Sequence, residues 1–63
     1  MRINDVVSIK KGGLSGHMGQ IINIMVHQGD AWCIVELVTL HDRENDHLVI
    51  GEIHSNLEIY DEL

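Results

Sequence analysis

At 63 residues the chain makes one domain at most, and a chain of that size removes only about 60% of its unfolded surface from water. The single cysteine, Cys33, excludes an internal disulfide framework, and no apolar run approaches membrane-spanning length. The formal charge of -6 is uneven: residues 1–28 hold Arg2, Lys10 and Lys11 against Asp5, whereas residues 29–63 hold Arg43 against nine carboxylates, which disfavours a nucleic-acid partner for most of the molecule.

In chain order, Asp5 to Lys10 reads as a short strand whose alternation puts Val7 and Ile9 on the core face. Gly12 to Gly19 is a glycine-dense loop in which no helix can start comfortably. Gln20 to His27 is apolar almost throughout, which predicts a bent strand covered on both faces. Gln28-Gly29-Asp30 reads as a hairpin turn with Gly29 in the left-handed position, and Ala31 to Leu40 is the longest strand candidate. The charged run His41 to His47 predicts a solvated loop or turn. Leu48 to Ile53 resumes strand character, with Gly51 hinting at a bulge or bend. His54-Ser55-Asn56 fits a single 3₁₀ turn before a last strand, Leu57 to Tyr60. The expectation is an all-β domain of five strands spanning residues 1–63, with no linker, repeat or low-complexity tract.

The segment Val7 to Ile21 resembles the KOW motif of small ribosomal proteins and of transcription elongation factors of the NusG type. Gly12, Gly16 and Gly19 match that family's glycines, Leu14 takes the place of its loop hydrophobe, and Val7, Ile9 and Ile21 match its strand positions. A looser resemblance, carried by Ile34 to Val38 and Ile53 to Tyr60, is to small uncharacterised bacterial proteins of KOW-like type. The resemblance implies a small five-stranded SH3-like barrel with a KOW-like first hairpin. It implies RNA binding with less force. Where RNA-binding KOW loops often carry Lys or Arg, this loop has Ser15, His17 and Met18, and Gly13 stands where Pro is common.

The glycine loop has neither the terminal Gly-Lys-Ser/Thr of a Walker A sequence nor a helix-opening dinucleotide fingerprint, so no phosphate cradle is expected. His41, Asp42, Glu44, Asp46 and His47 offer metal-ligand chemistry within seven residues, but the spacing is wrong. An EF-hand starting at Asp42 would need glycine where His47 stands and glutamate where Ile53 stands. The two histidines match no structural zinc pattern either, so the expectation is no metal and no cofactor. Cys33, set between Trp32 and Ile34, reads as an inert buried thiol, and no enzymatic activity is expected.

What remains is binding. The candidate residues are Trp32 on the exposed side of its strand, His17 in the glycine loop, and the cations Arg2, Lys10 and Lys11. The favoured expectation is a protein partner or a homodimer, formed through apolar surface or the acidic second half. The alternative is a nucleic-acid accessory protein using Arg2, Lys10, Lys11 and the loop. With no basic segment leading into an apolar core at the N-terminus, no signal peptide and a cytoplasmic location are expected.

Overall fold

The alternation of the first strand places two aliphatic side chains inward: in β1 (Val6–Ile9), Val7 and Ile9 are 0% and 3% exposed, as predicted. The computed structural model describes residues 1–43 and 46–60. It continues with β2 (Met18–His27), β3 (Asp30–Arg43) and β4 (Asp46–Ile53), then a 3₁₀ turn (His54–Asn56) and β5 (Leu57–Ile59). The strands form one antiparallel sheet in the order β4-β3-β2-β1-β5, so β4 and β5 are its edges. The all-β class, the five strands and the 3₁₀ turn match the sequence reading. Among the described residues, no helix is long and apolar enough to cross a membrane.

The core sits on one face of this sheet. Val7, Ile9, Ile21, Cys33, Val35, Leu37 and Leu57 are buried, and Leu14, Ile24, Leu48 and Ile50 pack against them. Leu14 reaches that cluster from the glycine loop, where Gly16 N–H donates to the Ile9 carbonyl at 2.9 Å and Ile9 N–H donates to His17 at 3.0 Å. Gly16 has a φ of 88°, which the loop needs to turn back and which a side chain would strain. Gly19 is required for a different reason. A Cβ there would lie 2.6 Å from both the Glu36 carbonyl oxygen and Val35 Cγ1, so only glycine lets β2 and β3 approach at this point.

Three details differ from the sequence reading. β2 is not covered on both faces: Ile21 pairs with Val35 but Asn23 pairs with Ile34, so Ile22 is the extra residue of a β-bulge. The bulge shifts the inward parity from Gly19 and Ile21 to Ile24, and leaves Ile22 and Met25 about half exposed. Gly51 is not a bulge; it lies in regular register opposite Ile34. The charged run is not a loop from His41 to His47, because β3 runs on to Arg43 and β4 starts at Asp46, with His41 opposite His47. Ladder hydrogen bonds need no apolar side chain, so pairing extends past the core. Register shifts between Glu36 and His41, and again between His41 and Arg43, mark where the extension departs from the regular ladder. Glu44 and Asn45 lie outside the described residues.

The β2–β3 turn is two residues long, with Gln28 at φ 52° and Gly29 at φ 82°. Both positive values match a type I′ turn, which suits the twist of the strands but strains the glutamine. Gln28→Asn is expected to raise stability by about 0.5 kcal/mol, since Asn tolerates this conformation better. Urea titration reads the change, and a loss of stability would show that Gln28 holds the turn by a side-chain contact instead.

Candidate functional site

β3 lies between β2 and β4, and opposed residues of an antiparallel ladder share a face, so the pairing specifies what the outer side of the sheet presents. Met25, Trp32 and Ile53 form one cross-strand row. Asn23, Ile34 and Gly51 form the next, and Gln20, Glu36 and Val49 the third. The face is therefore apolar near the β2–β3 turn and turns polar three rows on. The first row spans three strands with no charge in it.

Gly51 opens a notch between Ile53 and Val49. A Cβ at that position would meet only Ile34 Cδ1, at 3.7 Å, so nothing fills the space above it. A groove of about 490 Å³ results, lined by Met25, Val26, His27, Trp32, Ile34 and Gly51. Met25 is 50% exposed and walls one side of the groove, whereas Val26, 77% exposed and opposite Ala31, turns its side chain to the other face of the sheet. Farther along the face, His47 Nδ1 stands 3.8 Å from Glu36 Oε1 with both side chains about 40% exposed, a surface pair that adds little to stability.

The other candidate residues lie elsewhere. Arg2 precedes β1 in a turn closed by its own N–H to Asp5 Oδ2 at 2.8 Å and by Asp5 N–H to the Arg2 carbonyl at 3.1 Å. Lys10 and Lys11 follow β1 and meet the 3₁₀ turn instead: Lys10 N–H donates to the Asn56 carbonyl at 2.9 Å. Lys11 N–H donates to Asn56 Oδ1 at 3.1 Å, and Asn56 Nδ2 returns a bond to the Lys11 carbonyl at 3.1 Å. The four residues of β1, about 13 Å of extended chain, separate Arg2 from the two lysines. The three cations are all exposed and do not converge on one spot.

His17 is half-buried, with Nδ1 2.9 Å from Thr39 Oγ1. That hydroxyl already accepts the Met18 N–H at 3.0 Å, and its alternative acceptor, the Met18 carbonyl, is 3.5 Å away. The shorter contact favours the hydroxyl donating to Nδ1, which places the proton of the neutral ring on Nε2. His17 thus ties the end of the glycine loop to β3. Of the His41–His47 candidate ligands, only His47 belongs to the residues whose side chains are described. Among the described residues, no group of three or more His, Cys, Asp or Glu is placed to hold a metal ion.

Cys33 is 1% exposed on the inner face, and burial pushes its thiol pKa above the ordinary value. A folded thiol that holds its proton to higher pH than the unfolded one contributes stability in full at neutral pH. That contribution is lost as pH climbs through the folded-state value on the alkaline side. Labelling by an aromatic disulfide reagent at pH 8 is expected to be at least about 100-fold slower in the native protein than in urea. Equal rates in the two states would place the thiol at the surface.

Of these features the sequence points to Trp32, His17 and the cations, and misses Met25, Gly51, Thr39 and Asn56. Met25 had a signal: a two-residue turn at Gln28-Gly29 puts 27 opposite 30 and hence 25 opposite 32. Gly51 had none, because its register follows an irregular stretch of β3–β4 pairing that composition does not report. No family model, curated protein or solved structure matches this chain.

Proposed function

We propose that this protein is a non-enzymatic binding module that works by protein–protein contact through the outer face of β2, β3 and β4. The observation that carries the reading is the uncharged Met25–Trp32–Ile53 row beside the groove over Gly51. An apolar row of this kind, with Met25 exposed and Trp32 and Ile53 half-buried, has the composition of a contact hot spot. The nucleic-acid alternative has less support. Three cations divided between the two ends of β1 release few counterions, against a chain charge of -6.

The architecture we infer for the module is SH3-like. Three features support that reading: β1 pairs with both β2 and β5, β2 bends at a bulge, and a single 3₁₀ turn leads into β5. The KOW-like glycines fit it as well, since Gly16 has positive φ and Gly19 lies at a close strand approach. A cytoplasmic location belongs to the same proposal and rests on the lone reduced cysteine.

Affinity capture from a native lysate, with and without nuclease, tests the function. Trp32→Ala is expected to weaken partner capture at least tenfold, as loss of a central aromatic anchor does. Lys10→Glu combined with Lys11→Glu is expected to leave it unchanged, as are nuclease and added salt. Capture that disappears with nuclease or with the lysine changes would reverse the assignment in favour of nucleic acid.

A further inference from the structure

Carboxylates stand beyond the groove at either end. Side chains of a strand alternate between faces, so Asp30, Trp32, Ile34 and Glu36 of β3 all point outward, while Cys33 and Val35 between them are buried. Trp32 and Ile34 line the groove, and Asp30 and Glu36 flank them along the strand, six residues or about 20 Å apart. Asp30, opposite His27, is exposed, and Glu36 is about 40% exposed beside His47. The four cross-strand rows from His27–Asp30 to Gln20–Glu36–Val49 hold these two carboxylates and no lysine or arginine.

Charge decides between occupants. Phosphates of a nucleic acid or an anionic membrane would meet repulsion at both ends of the groove, on a chain that carries -6. A second copy laid antiparallel over the same face would set Asp30 of one protomer against Glu36 of the other. A segment with a cation at each end gains at both. Its length follows as well, because an extended chain rises about 3.3 Å per residue and packs on a sheet face nearly aligned with the strands. Residues i and i+6 of such a segment match Asp30 and Glu36, and residues i+2 and i+4 turn toward the groove. The notch over Gly51, beside Ile34, receives one of these, and Met25 and Trp32 flank the other.

We propose that the groove takes an extended segment of a partner protein with Lys or Arg at both ends of a seven-residue stretch and apolar residues at its third and fifth positions. The cations meet Asp30 and Glu36, and the apolar side chains lie over Trp32 and Ile34. The proposal rests on the reading of the outer face as a protein-contact surface and names the chemistry of the partner. Apolar contact holds the segment, whereas the exposed charge pairs choose it. Added salt therefore narrows the choice between segments a few-fold without releasing a captured partner.

The test is a titration of the full chain, at low salt, with an acetylated and amidated heptapeptide. It carries Lys at both ends, Val and Leu at its third and fifth positions, and Thr elsewhere. Fluorescence of Trp32, the only tryptophan, reads the binding, and a Kd below about 1 mM is expected. The same peptide with Glu at both ends should bind at least about fivefold more weakly. Asp30→Lys combined with Glu36→Lys should invert that preference while leaving the circular dichroism unchanged. If this variant does not fold, Asp30→Asn combined with Glu36→Gln, which should abolish the preference, decides in its place. Equal binding of the two peptides by wild type overturns the proposal, as does a preference that survives the substitutions. If neither peptide binds while Trp32→Ala still weakens lysate capture, the partner chemistry falls and the contact surface stands. If capture is also indifferent to Trp32, both fall. A concentration-dependent dimer that Trp32→Ala abolishes, with no peptide bound, overturns the proposal in favour of a second copy.

Discussion

Gly19→Ala should lower the unfolding free energy by about 3 kcal/mol, the upper range for forcing extra atoms into a packed interior. A chain of this length is stable by about 3–9 kcal/mol in total, so the variant stands near the limit of folding. The reason is geometric. The added methyl would lie 2.6 Å from the Glu36 carbonyl oxygen, which is backbone and cannot turn aside. Thermal unfolding should show a fall of about 15 °C in Tm. Val35→Ala removes the second obstacle, Val35 Cγ1, but not the first, so combining the two changes should not restore stability. A Gly19→Ala variant melting within a few degrees of wild type would show that β2 and β3 separate here at little cost.

The second large effect is expected at Leu37, which is opposite Gly19 and fully buried. Leu37→Ala removes several buried carbons and leaves a cavity bounded by neighbouring strands, which costs about 3 kcal/mol when the surroundings relax only partly. Val38→Ala, one residue on and 48% exposed, should change stability by less than about 0.5 kcal/mol. The contrast isolates burial from strand propensity, since the two positions share a strand and differ in face. Urea midpoints measure both, and comparable losses at 37 and 38 would mean that the outer face is covered in solution.

The sequence made the strands legible where hydrophobic spacing and turn chemistry agreed. Val7 and Ile9 alternate cleanly, and both are core. Gln28-Gly29 marks the tight turn, and His54 to Asn56 the 3₁₀ turn, as read. The failures have one cause, which is that composition does not report register. Ile21, Ile22, Ile24 and Met25 look alike in the sequence, and only the bulge at Ile22 decides which of them meets the core. The polarity of His41 to Arg43 suggested loop because exposed backbone is usually unpaired, whereas here β4 pairs with it. For the site, Trp32 could be singled out by rarity alone. Its surroundings could not, since the groove exists through what Gly51 lacks, and an absent side chain gives no signal until its neighbours are known.

β1 is held between partners from both ends of the chain: Val7 pairs with Gly19 on one side and Ile59 on the other, and Lys11 exchanges hydrogen bonds with Asn56, 45 positions away. During synthesis, therefore, β1 leaves the ribosome well before the strand that completes its pairing. Its inner residues Val7 and Ile9 stay without the Leu57 contact until β5 has emerged. Closure of so long a loop comes before its reward, which places the folding time of this sheet in the millisecond-to-second range of β proteins rich in distant pairings.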